Sequence, residues 1–474
     1  MRRTDLLFIS GLFFVRGVEV LVLVDGRVNA LFVVVGDCVH VSTCGPIIQP
    51  GPVDPSRMAM PSLRALRVKF TAFVHLSKDE HEAFARALKE YRYQAPALSL
   101  LEKMGLDNFW NLLARRVYPR WLAPNLLTAA GGACIALAAG LTLWHSPSLD
   151  GSCPQWVYAL NAALFFGYQS LDGSDGKQAR ATSSGSPVGE LMDHGIDAWA
   201  VGALVTTCLD AFGFGLSSPW PWMILLGAQG GFYASNLTLL HTGRMRVDDM
   251  GVIELQTTMM GCLLLSAACT PAVWRIPVPW IGLERRVALG AATMLAMGGA
   301  IVTGVGEALS AGPAAGAGAN VMGANGGVPE GATSPSRGSV LRQAGLVAGY
   351  VALVAGALAR LGVGAPHTVS ATSMWQLRML LVVANSAFAE VCARLLVMRI
   401  GGRPLPNLAT PALGALAGFV AAVELVGGVA APAAAALTVA ALHAGYFIWA
   451  VRTGSAALGL HTFRVRGAHS WRRL

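Results

Sequence analysis

Residues 172–197 read DGSDGKQARATSSGSPVGELMDHGID, and long apolar stretches flank them on both sides. Asp172 and Asp175 are three residues apart. Asp193 and Asp197 are four apart, so each pair would share one face of a helix. The residues between the pairs, ATSSGSPV, are typical of a turn. The stretch therefore predicts two helices that fold back antiparallel with their carboxylates facing each other.

The composition around this stretch is that of a polytopic membrane protein. Of the 474 residues, 13% are charged and 54% belong to the apolar set AVILMFWYC, whereas soluble domains carry about 25% charged residues. Apolar runs of about 20 residues, the length of a helix that crosses a bilayer, recur along the chain. A soluble enzyme, a disordered protein and a secreted disulfide scaffold are excluded, and we expect an all-α fold of about ten membrane spans. The predicted spans are 122–144, 156–171, 191–214, 220–240, 251–271, 287–308, 341–362, 374–398, 405–427 and 431–451.

The segments outside the spans differ in character. Residues 1–65 begin like a signal or anchor segment, but their Val-rich continuation is equally typical of strands, so they stay unassigned. Residues 76–94 predict an amphipathic helix, which is either an ordinary surface helix or one lying in the membrane interface. The Gly- and Ala-rich residues 309–340 predict a flexible loop. The predicted divisions are an unassigned extension (1–65), cytosolic or interfacial helices (66–121), a core of spans one to six (122–308), the loop (309–340), spans seven to ten (341–451) and a basic cytosolic tail (452–474).

Positive charges between the spans predict how the chain is oriented. Arginines before span one, after spans four, six and eight, and in the tail fall on one side together with the basic residues after span two. The positive-inside rule makes that side cytosolic. Arg275, Arg285 and Arg286 fall on the other side and are the exception. The net charge of +9 requires no nucleic-acid partner, because orientation and anionic headgroups account for it.

Four carboxylates gathered within a membrane protein need a compensating charge. An ionisable residue costs about 2.5–3.5 kcal/mol at the centre of a membrane helix. The acidic groups of Asp172, Asp175, Asp193 and Asp197 would also repel one another. Hard oxygen ligands with no accompanying Cys or His pattern suit Mg²⁺, Mn²⁺ or Ca²⁺. Two such ions about 3.5–4 Å apart commonly serve the displacement of a phosphate ester, and this chemistry favours a two-metal site.

Small and basic residues follow the first acidic pair on the same predicted helix. Gly176 and Ala179 would let a flat base or a diphosphate approach the backbone. Arg180 would pair with phosphate in the bidentate manner of a guanidinium group. Lys177 adds positive charge on the predicted cytosolic side. These residue types therefore predict a phosphate compound beside the ions.

The spacing of the acidic stretch resembles the signature of the CDP-alcohol phosphotransferase family, Asp-x2-Asp-Gly-x2-Ala-Arg-x8-Gly-x3-Asp-x3-Asp. Every fixed position is matched from Asp172 to Asp197 without a gap. The runs DGKQAR, SPVGEL and DHG are similar to the eukaryotic cholinephosphotransferase and ethanolaminephosphotransferase type. A weaker likeness extends over residues 76–452, and the chain departs from the family at Ala181, where a second Arg is common.

The resemblance implies a reaction and roles for the residues that carry it. CDP-choline or CDP-ethanolamine would give its phosphoaminoalcohol group to the hydroxyl of 1,2-diacylglycerol and release CMP. Asp172, Asp175 and Asp193 would be ligands of two ions, Mg²⁺ or Mn²⁺, and Asp197 would be a further ligand or the general base. His194 is the other candidate base, because a neutral imidazole accepts a proton near pH 7. The residues implied along the CDP moiety are Gly176, Lys177, Ala179, Arg180 and Gly189.

Three further residues each have a functional and a purely structural interpretation. Asn125 would either reach the nucleotide or satisfy a backbone group freed by Pro124. Glu190 would either touch metal or headgroup or cap the third span near its positive end. Glu254 would either meet the aminoalcohol cation or be a charge that faces a loop.

The resemblance also implies a location and an assembly: an endoplasmic reticulum or Golgi membrane, with the active site toward the cytosol, and a homodimer. Two other functions stay open. One is a sibling enzyme that uses CDP-diacylglycerol with inositol, serine or glycerol phosphate. The other is a non-enzymatic proton or cation transporter, in which the four acids would line the path.

Overall fold

The chain divides into two compact units, residues 1–77 and residues 78–474. The computed structural model describes residues 18–21, 30–35, 38–43, 78–91, 98–242, 251–311, 337–365, 369–401, 411–425 and 428–465.

The first unit holds a three-stranded antiparallel sheet. Its strands are β1 (Val18–Leu21), β2 (Ala30–Val35) and β3 (Cys38–Thr43), in the order β1-β2-β3. The register pairs Val35 with Cys38 and Ala30 with Thr43. Valine-rich segments favour strands because their branched side chains pack well on a pleated surface, so the strand interpretation of this stretch is the one the structure adopts.

The second unit is built from helices, and for it the prediction of an all-α polytopic protein is confirmed. Two short helices come first: α1 (Lys78–Glu90) and α2 (Asp107–Leu112), the latter flanked by π-helical turns at Glu102–Leu106 and Leu113–Val117. The long helices are α3 (Pro124–His145), α4 (Gln155–Ala181), α5 (Pro187–Phe212), α6 (Pro219–Thr242), α7 (Val252–Cys269), α8 (Arg285–Ser310), α9 (Arg337–Arg360), α10 (Ala371–Gly401), α11 (Pro411–Leu425) and α12 (Ala430–Leu458).

Each of the ten predicted spans corresponds to one long helix of the second unit. Among the described residues, seven of these helices are long and apolar enough to cross a membrane: α3, α5, α7, α8, α9, α10 and α12. That all ten cross remains a prediction. The predicted loop 309–340 is shorter at both edges, because α8 continues to Ser310 and α9 begins at Arg337. Most of that loop and the end of the tail lie outside the described residues.

Burial distinguishes central helices from peripheral ones. In α10, 94% of the most apolar window is buried within the protein, whereas in α8 the figure is 11%. The centre of α10 carries a polar residue, Asn385, whose amide donates to the carbonyl of Trp199 in α5. Gly202 of α5 faces the same amide, so only glycine leaves room for it. Helix α10 is therefore the axis of the bundle, and α8 lies on its outside.

The irregular connection between α3 and α4, residues 146–154, lies at the end of the bundle opposite the turn between α4 and α5. Its carbonyls accept hydrogen bonds from Arg378 of α10, at Pro147, and from the backbone of Gly215, at Leu149. The carboxylate of Asp210, fully buried in α5, accepts from the backbone of Gly151 and from the hydroxyl of Tyr158. Hydrogen bonds thus hold the described connections at this end together, and the acidic motif lies at the other end of the bundle.

Helix α1 adopts the predicted amphipathic pattern, with Phe84, Leu88 and Tyr91 buried on one face. This face packs on the bundle: a Cβ on Gly401 of α10 would lie 2.5 Å from the ring of Phe84, and one on Gly454 of α12 would lie 3.7 Å from Leu88. The apolar stripe is therefore covered by protein. The side chains of the expected helix start and residues 92–97 lie outside the described residues.

Helix α2 is fixed to α4 by an aromatic residue beside a glycine. Trp110 is 1% exposed, and a Cβ on Gly173 would lie 2.6 Å from its indole ring. Phe109 stacks on Phe166 of α4 with 6.1 Å between the ring centroids. Gly173 is one of the two residues between Asp172 and Asp175, and its lack of a side chain is what allows α2 to pack directly beside the acidic stretch.

Candidate metal centre

The acidic motif forms a helical hairpin with a stabilised turn. Helix α4 ends with the backbone of Ser184 donating to the carbonyl of Ala179. Helix α5 begins with Ser186, whose hydroxyl accepts from the backbone of Gly189, and with Pro187 in its first turn. A serine cap followed by proline is a favoured way to begin a helix. The turn thus reverses the chain and brings the two acidic pairs to the same level.

Three of the four motif carboxylates converge in the structure. Asp172 of α4 and Asp193 and Asp197 of α5 each place one oxygen within 4.8 Å of the others. All three side chains are neither buried nor fully exposed, so an ion can reach them. Three carboxylates held this close repel one another unless a cation lies among them. Their hard oxygen donors are those that Mg²⁺ and Mn²⁺ prefer, so the cluster could hold a divalent ion.

The fourth carboxylate, Asp175, is held differently. It is 7% exposed and accepts a hydrogen bond from the hydroxyl of Thr128 in α3. Its charge still acts on Asp172 and Asp193. Asp175 therefore borders the cluster of three without being one of its converging groups.

Tyr168 positions one member of the cluster. Its hydroxyl donates to Asp197 over 2.6 Å, and it lies four residues before Asp172 on α4. A hydrogen bond from outside the ligand set fixes the rotamer of a carboxylate and so prepares it for an ion. Tyr168 is thus a positioning residue for the candidate ion site.

We expect Tyr168→Phe to weaken the binding of Mn²⁺ by about 10–100-fold, because outer-shell partners typically contribute that much. The binding can be followed by the signal of free Mn²⁺ in electron paramagnetic resonance. The rise of the unfolding temperature with Mn²⁺ is a second measure, since an ion that binds only the folded state stabilises it.

Tyr158→Phe is the matched control for this experiment. Tyr158 lies on the same helix and donates over 2.7 Å to Asp210, an aspartate of the same partner helix at the opposite end. Its loss should lower stability and leave Mn²⁺ affinity unchanged. Equal Mn²⁺ affinities in wild type and Tyr168→Phe would contradict the positioning role.

His194 lies beside the cluster in a separate buried group. It is 8% exposed and lies near Asn236 of α6, whose amide oxygen has no hydrogen-bond partner among the described residues. On the same side, Glu190 forms an ion pair with Arg399 of α10, which also donates to the hydroxyl of Tyr91 over 2.9 Å. One oxygen of Glu190 has no hydrogen-bond partner among the described residues. Glu190 thus connects α5 to α10 and the end of α1 in addition to lying in the first turn of α5.

The basic residues of the motif point to different partners. The ammonium group of Lys177 lies 2.6 Å from a carboxylate oxygen of Asp107 and 5.6 Å from the ring centroid of Trp110. Arg180 is exposed, and its charge acts on Asp175. Lys177 therefore stabilises the docking of α2, whereas the side chain of Arg180 has no hydrogen-bond or ion-pair partner among the described residues and can meet an anion from solution.

Small residues leave space on this side of α4. A Cβ on Gly176 would lie 3.6 Å from the guanidinium of Arg180, and Ala179 is partly exposed. The small side chains of Gly176 and Ala179 thus leave the backbone of α4 lightly covered between the first acidic pair and the turn, and the binding of a phosphate compound there stays a prediction.

Asn125 and Gly189 lie together at the ends of α3 and α5. A Cβ on Gly189 would lie 3.5 Å from the amide oxygen of Asn125. The amide nitrogen of Asn125 donates over 2.8 Å to the carbonyl of Thr462, which follows α12. Both candidate nucleotide residues thus border the same edge of the site, and Asn125 also ties the C-terminal segment to it.

Glu254 has both of its oxygens engaged by backbone groups. One accepts from Gly251 at the start of α7 and the other from Leu101, each over 2.8 Å. It is 5% exposed. Among the described residues Glu254 therefore acts as a cap and as a link to the segment before α2, and a contact with the aminoalcohol cation stays a prediction.

Several residues of the site region were not found from the sequence: Thr128, Tyr168, Asp107 and Arg399. Tyr168 had a usable signal, because four residues place it on the helix face of Asp172. Thr128 and Asp107 lie far from the motif in sequence and become neighbours only through helix packing.

Residues 121–303 match the family model described as CDP-alcohol phosphatidyltransferase. The chain is 37% identical to cholinephosphotransferase 1 of Gallus gallus over 199 residues, which are 42% of this chain and 59% of that protein. It is 32% identical to cholinephosphotransferase 1 of Homo sapiens over 212 residues, 45% of this chain and 52% of that protein. It is 38% identical to choline/ethanolaminephosphotransferase 2 of Arabidopsis thaliana over 161 residues, 32% of this chain and 40% of that protein. The chain thus spans about half the length of these curated relatives.

Proposed function

We propose, from the membership of residues 121–303 in the CDP-alcohol phosphatidyltransferase family, that this chain is a membrane transferase that makes a phospholipid. Its donor would be CDP-choline, CDP-ethanolamine or both, and its acceptor the hydroxyl of 1,2-diacylglycerol. The products would be CMP and phosphatidylcholine or phosphatidylethanolamine. Relatives named cholinephosphotransferase and choline/ethanolaminephosphotransferase support this choice of donor.

The observation that carries the proposal is the convergence of Asp172, Asp193 and Asp197 from two helices within 4.8 Å. With Asp175 beside them, these residues would hold two divalent ions, Mg²⁺ or Mn²⁺. The ions would neutralise the diphosphate and stabilise the charge that develops on the departing CMP. Arg180, exposed at the edge of the cluster, would bind the diphosphate from solution.

A residue of the chain would then accept the proton of the lipid hydroxyl group. As the lipid oxygen attacks the phosphorus that bears the aminoalcohol, a P–O bond forms and the bond from that phosphorus to CMP breaks. The hydroxyl proton must pass to a base. His194 is the better candidate of the two, because a carboxylate such as Asp197 that binds ions has less basicity to offer. The amide oxygen of Asn236, which lies near His194 and has no hydrogen-bond partner among the described residues, would orient the imidazole by accepting a hydrogen bond from it.

The closed end of the bundle supports an orientation for this reaction. The nucleotide would enter at the motif end, which the arginine distribution makes cytosolic, because hydrogen bonds join the described connections at the opposite end. Diacylglycerol would enter sideways from the bilayer. We further propose an endoplasmic reticulum or Golgi location and a homodimer.

The function is tested with microsomes that contain the chain, supplied with diacylglycerol and Mg²⁺. We expect label from CDP-choline or CDP-ethanolamine to enter lipid, and EDTA to abolish the incorporation. Microsomes from the same cells without the chain give the background rate.

Two outcomes would replace the proposal. Label entering lipid only from inositol, serine or glycerol phosphate with CDP-diacylglycerol would make the chain the sibling enzyme. Ion flux across vesicles with no labelled lipid would make it a transporter.

A further inference from the structure

We propose that residues 276–284, here called the apolar hairpin, insert into the headgroup region of the leaflet opposite the acidic motif. The hairpin connects α7, through the short 3-10 helix Pro271–Arg275, to α8. Its partner would be the lipid surface itself. The inference does not depend on the proposed transferase activity.

The hairpin has a defined shape. Its stem is the antiparallel bridge between Pro277 and Glu284, and the backbone of Val278 donates to the carbonyl of Leu283 over 2.7 Å. At its tip, Trp280 and Gly282 both have φ of 73°. A tryptophan rarely adopts this left-handed backbone conformation, because its Cβ is crowded by the neighbouring carbonyl. Backbone strain at an exposed tip indicates that the position of the Trp280 side chain has a function.

The side chains at the tip are large, apolar and uncovered. Trp280 is 103% exposed and Ile281 is 62% exposed, and Ile276 and Leu283 are 46% and 48% exposed. Exposed apolar groups of this size normally have a partner. Within the second unit, the chain supplies none for them among its described residues.

The position of the hairpin identifies that partner as lipid. It joins two helices that are apolar and long enough to cross a membrane, so its tip lies at the depth where the bilayer meets water. Helix α8 is the most exposed of these helices and has little protein around it. A hairpin at the base of such a helix has lipid as its neighbour.

Exposed tryptophans mark the same level of the bundle. Trp144 ends α3, Trp156 begins α4 and Trp375 begins α10, and they are 81%, 53% and 52% exposed. Arg275, at the base of the hairpin, donates to the carbonyl of Asp150 in the connection between α3 and α4. Tryptophans collect at the membrane interface because the ring is apolar and its N–H is polar. Trp280 extends this belt of tryptophans beneath α7 and α8.

The arginines around the hairpin explain an exception to the charge rule. Arg286 donates to the carbonyl of Gly213 and pairs with Glu284 over 2.5 Å, and Arg285 donates to the carbonyl of Val273. These arginines fix the stem to neighbouring loops. Hydrogen bonds and an ion pair within the protein hold these arginines beside the headgroups. They are therefore compatible with the non-cytosolic side, where the positive-inside rule disfavours basic residues.

The proposal is tested by tryptophan fluorescence of the full chain in phosphatidylcholine vesicles. The emission of Trp280 is the difference between wild type and Trp280→Phe, a substitution at an exposed site that should leave folding intact. We expect phosphatidylcholine brominated near the carbonyl end of its acyl chains to remove most of this difference emission, while acrylamide in the water removes little.

Two variants calibrate the measurement. The difference emission of Trp144→Phe comes from a tryptophan at the end of a predicted span, and brominated lipid should quench it. The difference emission of Trp222→Phe comes from a residue that is 1% exposed, and neither quencher should reach it. A Trp280 emission that acrylamide quenches and brominated lipid does not would overturn the proposal. Protection from both quenchers would overturn it as well, because the tip would then be covered by protein.

Discussion

Asp193→Ala is expected to abolish Mn²⁺ binding and to lower kcat/KM for the proposed transfer to diacylglycerol by at least about 10³-fold. Asp193 belongs to the group of three carboxylates whose oxygens lie within 4.8 Å of one another. Removing it leaves Asp172 on one helix and Asp197 on the other with too few ligands to hold an ion between them. In the proposed reaction, electrostatic stabilisation of the leaving CMP is the largest contribution expected from this site, so its loss should dominate all other effects.

His194→Ala separates ion binding from proton transfer. If His194 is the base, this variant should bind Mn²⁺ normally and lose about 10²–10⁴-fold in turnover. Asp193→Ala should lose both properties. The metal hypothesis fails if purified Asp193→Ala binds Mn²⁺ as wild type does, and His194 is excluded as the base if His194→Ala keeps normal turnover.

Arg399→Met should lower the free energy of unfolding by about 3–5 kcal/mol, because it leaves the buried carboxylate of Glu190 without its counter-charge. Both side chains of this pair are 4% exposed. The loss also removes the hydrogen bond to Tyr91, by which the end of α1 is held on the bundle. Denaturant titration of the purified protein in detergent measures the change.

Two further variants show whether the effect comes from the unpaired charge. Glu190→Met combined with Arg399→Met removes both charges and should restore most of the lost stability. Lys177→Met breaks a more exposed pair, in which the side chains of Lys177 and Asp107 are 10% and 25% exposed, and should cost at most about 1 kcal/mol. An Arg399→Met protein as stable as wild type would show that Glu190 is neutral or finds another partner.

Much of the architecture follows from local sequence alone. The positions of the ten long helices were predictable because a run of apolar residues has one stable conformation in lipid, the helix. The hairpin of α4 and α5 was predictable because the residues ATSSGSPV between the acidic pairs are typical of a turn. The face shared by Asp193 and Asp197 follows from the helical repeat.

The tertiary structure decided which residues surround the motif. The spacing of the four aspartates does not distinguish one from another. In the structure, Thr128 of α3 donates a hydrogen bond to Asp175, whereas Asp172, Asp193 and Asp197 converge without Asp175. Lys177 carries the charge expected of a phosphate ligand, but the docking of α2 gives it Asp107 as a partner.

Helix periodicity assigns a residue to a face, but it does not say which helix will lie against that face. In this protein the sequence determined the helices, the turn and the pairing of acids along each helix, because these depend on residues within two helical turns of one another. Arg399 and Glu190 are separated by 209 residues, and Thr128 and Asp175 by 47. Their contacts depend on the order in which ten helices pack, which is decided by the fit of side chains such as Trp110 against Gly173 and Phe84 against Gly401.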